Sequence, residues 1–282
     1  MYFARRTSIL AISILSITAC GCDAPDYVSS FCGSATATLT SARPVFGDMK
    51  QSCLREVNSR SDFGTFKPPV QDDPGCNEIG DQAEGAEAAA KILCDYFSAI
   101  NALASFGTTK AGSDAQSLVA KTAVAVGATS SAQTALGSIA QFFVSAATSG
   151  YKQKQLDKDL PEASKNISTV IDALVKIIRE DYLKRQLGEE EEKLSTRYKE
   201  FAKGATPEVK LMLDGRWNVE EHALLARRDS AENLIIALQA ISKGSADLAA
   251  NAHHLREKDV QSLMGPYVTQ LEALVPQIQK GF

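Results

Sequence analysis

The sequence predicts an all-α protein, an elongated antiparallel bundle of about five or six helices, preceded by a signal peptide and a cysteine-containing tether. Three observations predict this. Ala, Leu, Glu, Lys and Gln dominate after residue 80, and these residues sit in helix interiors at little cost. Apolar residues recur at three- and four-residue steps over long stretches, which places them on one helix face. No alternating apolar–polar run of useful strand length occurs anywhere.

Residues 20–34 are small and polar and read as the tether. Residues 35–282 read as a single all-helical domain. Its first part, 35–58, is loosely helical: Phe46, Met49, Cys53 and Val57 share a face, and Pro44 stands near the start. Residues 59–80 are rich in Pro and Gly and read as a loop. Asp81 and Glu84 stand in capping-box spacing for the next helix. Its stripe is Ala89, Ile92, Leu93, Tyr96, Phe97, Ile100 and Leu103, and Gly107 ends it.

Ser113 and Gln116 form a second capping-box pair. The segment 117–148 is rich in Ala, Gly, Ser and Thr, with larger residues at Leu118, Val119, Leu136, Ile139, Phe142 and Phe143. Small side chains let helices approach closely, so the segment is expected to be a buried central helix. Pro161 either opens a new helix or kinks a continuous one.

The stripe Ile167, Val170, Ile171, Leu174, Ile178, Tyr182, Leu187, Leu194, Tyr198 and Phe201 is the strongest in the chain. It has one gap, at Gly188 and the run Glu189 to Glu192. Four glutamates in a row cover every face of a turn, so part of that turn is expected to be solvated. Gly204 terminates the helix, and Thr206-Pro207-Glu208 starts another, with Thr as N-cap and Pro at the first position. Asp214-Gly215 reads as an interruption. A helix from Trp217 follows through Val219, Leu224, Leu225, Ala231, Leu234, Ile235 and Leu238 to Ile241, where Lys243-Gly244 ends or bends it. Residues 245–255 continue as helix. The last helix, 259–279, carries Leu263, Tyr267, Leu271, Leu274 and Ile278 as its stripe, with Pro266 in its first turns and Pro276 near its end.

Composition narrows the function classes. The net charge is −4, and no Lys/Arg patch of the kind that binds nucleic acid is visible. One Trp and 7% aromatic residues do not suit a carbohydrate-binding β-module built on aromatic platforms. His253-His254 is the only histidine pair, with Glu257 one turn on. Adjacent histidines diverge by about 100° on a helix, and no third ligand stands in motif spacing. No G-x-S-x-G, G-x-G-x-x-G or P-loop pattern occurs, and no paired Glu-x-x-His helices occur. No catalytic residue, cofactor or metal site is therefore expected.

The first twenty residues, MYFARRTSILAISILSITAC, hold an Arg pair, a short apolar run and small residues before Cys20. This is the layout of a secretory signal. Ile17-Thr18-Ala19-Cys20 resembles the lipobox of bacterial lipoproteins. The resemblance implies a signal peptide over 1–19, a lipid on the Cys20 thiol and a membrane anchor there. In enterobacterial lipoproteins, Asp after the lipidated cysteine favours the inner membrane. Gly21 stands there, which points to the outer membrane, facing the periplasm. Two other readings of the segment are an ordinary cleaved signal and an uncleaved anchor, the latter short of the ~20 apolar residues that span a bilayer.

The six cysteines, Cys20, Cys22, Cys32, Cys53, Cys76 and Cys94, all lie in the first third. Export is oxidising, so Cys32, Cys53, Cys76 and Cys94 are candidates for disulfides, with Cys22 the odd one. They lack CxxC spacing and a nearby His, so a zinc site is not expected. The expected function is a non-enzymatic envelope lipoprotein that binds or scaffolds a protein partner. The alternative is a membrane-active helical protein that inserts 117–148, resembling long-helix pore-forming toxins in architecture only.

Overall fold

The computed structural model describes residues 27–59, 68–104, 130–148, 153–252 and 258–282. Every regular element among them is helical. The elements are α1 (Tyr27–Ser41), α2 (Arg43–Ser59), α3 (Pro74–Ala104), α4 (Ser130–Thr148) and α5 (Gln153–Lys176). A ten-residue π-helix (Ile177–Gln186) runs straight into α6 (Leu187–Ala202), followed by α7 (Pro207–Ala250) and α8 (Lys258–Gln279). The all-α bundle expected from the stripes is what the chain forms.

The largest difference from expectation is at the N-terminus. Residues 27–34 are not tether but the first half of α1, with Val28, Phe31 and Cys32 buried. Ser29 Oγ of this stretch donates to Asn101 Oδ1 of α3, and two hydroxyls further along α1 bond back to its own carbonyls. Thr36 Oγ1 donates to Cys32 O at 2.9 Å, and Ser41 Oγ donates to Ala37 O at 2.9 Å, the i−4 bond open to Ser and Thr in helices. That leaves Val28, Phe31, Cys32, Ala35 and Leu39 as an apolar face. Phe31 sits edge-on to Phe97 of α3 and Tyr267 of α8.

Helix α3 also begins earlier than the Asp81–Glu84 pair predicts, so 74–80 is helix and not loop. Asp73 is its cap: Oδ1 accepts from the amides of Gly75 at 2.9 Å and Cys76 at 3.1 Å. Pro74 follows at the first helical position, where a missing N–H costs nothing. The stripe of α3 is buried as expected, from Ala89 through Ile92, Leu93, Tyr96 and Phe97 to Ile100. In α4, Ala135, Leu136, Ile139 and Phe142 are buried. The expectations for Gly107, Ser113, Gln116 and 118–129 lie outside the described residues, as do those for His253, His254 and Glu257.

Pro161 lies within α5 and does not start a helix. Asp214-Gly215 and Lys243-Gly244 do not interrupt α7, which runs through 44 residues. Gly204, at φ 73°, closes α6, and Thr206-Pro207 opens α7, as the sequence predicts. The rod from α5 through the π-helix to α6 therefore lies antiparallel along α7. Ser168 meets Ser242 at 2.8 Å, Arg227 meets Glu190, and the Tyr198 and Trp217 rings stand 5.5 Å apart. Helix α8 returns along α7, with Tyr267 bonded to Asp247 and Ser230 to Gln277 O. Its stripe residues Leu271, Leu274 and Ile278 are buried. Helix α1 runs parallel to α8, since Tyr27 lies by Gly265 and Ser41 by Gln279.

Candidate functional site

Two features of the long hairpin stand out: a buried charge cluster at the level of Glu190, and an apolar outer face beyond it. The cluster begins with the gap in the stripe. Buried Tyr182 and Leu187 are five residues apart, a step that an α-helix does not keep on one face. The π-helix keeps it. Its i→i+5 bonds widen the turn, and the Leu187 amide donates to Tyr182 O. Three residues on, Glu190 occupies the next inward position, 3% exposed. The stripe thus runs Ile178, Tyr182, Leu187, Glu190, Leu194 without a break. The glutamate run is only partly solvated, as expected, but one of its members is a core residue.

Helix α2 and α7 supply the partners of Glu190. Ser52 Oγ donates to Oε2 at 2.6 Å. Arg55 Nε donates to Oε1 at 2.7 Å and its Nη2 to Oε2 at 3.2 Å. Arg227 Nη2 donates to Oε1 at 2.7 Å. Asp48 completes the group: it accepts from Arg55 Nη2 at 2.7 Å and from the Tyr182 hydroxyl at 2.7 Å, with Arg227 Nε 3.6 Å away. Two carboxylates and two guanidinium groups balance in charge. Burial pulls the Arg55 guanidinium down, but its hydrogen bonds to Asp48 and Glu190 outweigh this and hold it raised. Burial, then the charge of Asp48 and the bond to it, holds the Tyr182 phenol far above its usual range.

Such a cluster clamps three helices together. Its acceptors are engaged by arginine, serine and tyrosine, which leaves no carboxylate poised as a general base. No group of three His, Cys, Asp or Glu side chains among the described residues could hold a metal ion. An open cleft of about 350 Å³ between α4 and α5, lined by Gln141, Phe142, Asp159, Glu162 and Asn166, lies elsewhere.

Beyond Leu224 the hairpin leaves the bundle and becomes a two-helix arm. Its inner seam is the Tyr198–Trp217 pair, and Arg197 lies over the Phe201 ring at 5.6 Å. Its outer face is exposed and apolar: Leu211 and Met212 are each 74% exposed and Val219 is 70% exposed. Of the apolar residues that α7 runs through, Val219 and Leu225 face out and Leu224 is buried, because the inner seam runs through Trp217 and Leu224. The Glu208 carboxylate at the start of α7 is held below its usual value by its own backbone amide, then by Thr206.

Of the four candidate disulfide cysteines, Cys53 and Cys76 are joined, with Cα atoms 5.5 Å apart. The bond ties α2 to the first turn of α3. Cys32 and Cys94 are thiols instead. Cys94 Sγ lies 3.7 Å from Thr36 O, and burial pushes its thiol up to about 11. Cys20 and Cys22 lie outside the described residues. No described helix is long and apolar enough to cross a membrane. Comparison with known families, curated proteins and solved structures finds no match to this chain.

Proposed function

We propose that this chain is a lipid-anchored helical bundle of the bacterial cell envelope, non-enzymatic, that presents the α6–α7 arm to a protein partner. The anchor is Cys20 and the favoured surface is the outer membrane, facing the periplasm. The observation that carries the reading is the position of the apolar face. Tyr27 lies by α8 at Gly265, and Tyr267 of α8 bonds Asp247, so the N-terminal end of the bundle is level with the far end of α7. From Asp247 to Pro207 is 40 residues, about 60 Å of helix. An anchor at one end and an exposed apolar arm at the other suit a protein that holds something away from its membrane.

The buried charge cluster supports the same role, because it fixes the angle at which the arm leaves the bundle. Insertion of 117–148 into a membrane is the weaker reading. It asks Leu136, Ile139 and Phe142, all buried against the bundle, to leave their contacts.

The anchor is tested by Cys20→Ala. The variant is expected in the soluble fraction and the parent in the membrane fraction, with the added mass of lipid on the mature N-terminus. A parent without lipid, or a variant that still sediments with membranes, removes the anchor. Dye release from liposomes by the purified protein would favour insertion.

A further inference from the structure

We propose that the outer face of α7 between Glu208 and His222 pairs with the same face of a second copy of this chain, antiparallel, about a two-fold axis at Gly215. The inference rests on the reading of the arm as a binding element and names its partner.

The face is defined by helix geometry. At 100° per residue, Glu208, Leu211, Met212, Gly215, Val219 and His222 fall within one arc of about 100°. The opposite arc carries Leu213, Trp217 and Leu224, turned toward α6. Leu211, Met212 and Val219 are the three most exposed of the large apolar side chains given for the described residues.

Gly215 sits in the middle of this face and inside a 44-residue helix. A Cβ built there meets nothing within 4 Å, so no neighbour in the chain requires the gap. Glycine in a helix interior is less stable there than Ala, because it loses more backbone freedom on folding. A second helix crossing at Gly215 uses the gap, because it allows the axes to approach to the near end of the usual 8–10 Å range.

The arrangement around Gly215 is self-complementary. Leu211 and Val219 lie four residues to either side, and Glu208 and His222 lie seven to either side. A two-fold axis at Gly215 sets Leu211 against Val219 of the second copy, and Glu208 against His222. A parallel pair would instead set each Glu208 against its like. Asp214 and Arg216 lie about 100° to either side of Gly215, outside the seam, and Arg216 is engaged by Glu220 at 3.0 Å. Such an interface is isologous, the form that closes a dimer. From Glu208 to His222 is about 21 Å of helix, at the small end of specific interfaces, so the dimer dissociates on dilution.

The test uses the mature chain with Cys20 and Cys22 replaced by Ser. Sedimentation velocity is expected to show a monomer–dimer equilibrium that Leu211→Asp or Val219→Asp shifts to monomer, with far-UV circular dichroism unchanged. Glu208→Lys is expected to weaken pairing, and His222→Glu added to it to restore it. Gly215→Cys is expected to give a covalent dimer under mild oxidation at least tenfold faster than Ile236→Cys, an exposed position on the bundle body. A chain that stays monomeric at several hundred micromolar, or a Gly215→Cys dimer that forms no faster than the Ile236→Cys one, overturns the pairing. If arm positions then crosslink to a different envelope protein in cells, the pairing falls while the binding role of the arm stands. If they crosslink to nothing, both fall.

Discussion

Glu190 and Glu191 are neighbours of the same type, and the structure gives them very different weights. Glu190 is 3% exposed and accepts from Ser52, Arg55 and Arg227. Glu190→Ala removes one of two carboxylates and leaves two guanidinium groups on Asp48 alone. The buried group then carries a net positive charge, and the Arg227 side chain, only 13% exposed, keeps no partner but Asp48 at 3.6 Å. Breaking a buried ion pair from one side costs ~3–5 kcal/mol, a large share of the ~5–15 kcal/mol that holds a domain folded. Glu191 pairs with Arg228 at 2.7 Å, but its side chain is half exposed. Water and salt screen that pair, and Glu191→Ala is expected to cost at most ~1 kcal/mol. Urea unfolding followed by circular dichroism on the soluble mature chain measures both. Glu190→Gln should fall between them, since it keeps an acceptor and loses the charge. If the two alanine variants differ by less than ~1 kcal/mol, the cluster does not clamp the arm as described.

Other consequences follow from single contacts. The Tyr182 phenol is held raised in the folded state, so its contribution is intact below the unfolded value of ~10 and is lost as pH rises beyond it, at about 1.4 kcal/mol per pH unit. Alkaline unfolding curves of Tyr182→Phe should therefore be shallower than those of the parent, and equal slopes would contradict this. Breaking Cys53–Cys76 opens a link across 23 residues and is expected to cost about 3 kcal/mol on the chain-entropy account, read from unfolding of the double Ser variant. Gly244→Ala would place a Cβ 2.5 Å from the Phe31 ring and should destabilise by ~1–3 kcal/mol. Gly137→Ala meets nothing within 4 Å and should be neutral or stabilising by up to ~1 kcal/mol, so melting of the pair separates a required glycine from a tolerated one.

Much of this architecture is legible in residue spacing. The stripes of α3 and α5 bury the residues that periodicity selects, and Gly204 with Thr206-Pro207 marks the turn of the hairpin. Four features escape such reading, the first three because local chemistry disguises the pattern. The start of helix α1 looks like a tether because Ser29, Ser30, Gly33 and Ser34 stand among the apolar residues Val28, Phe31 and Cys32 that it buries. Helix α3 hides its start in a Pro- and Gly-rich stretch, although Asp73-Pro74 is ordinary helix-start chemistry. Glu190 hides in a run of like residues. The signal that finds it is its spacing, three residues after Leu187 and four before Leu194, on a stripe already shifted by the π-helix. Its partners Ser52 and Arg55 lie more than 130 residues away in sequence, and no local pattern links them. The outward turn of Val219 is equally hidden, because both faces of the arm carry apolar residues and only the contact with Tyr198 decides which is inner.

The central claim is that the arm, held away from an anchored end, is where this protein meets its partner. A photo-crosslinking residue placed at Met212 in the full chain, activated in intact cells and followed in the membrane fraction, tests it most directly. The account predicts a discrete crosslinked protein adduct from Met212 and none from Ile236 on the bundle body. An adduct from Ile236 with none from Met212 would contradict it.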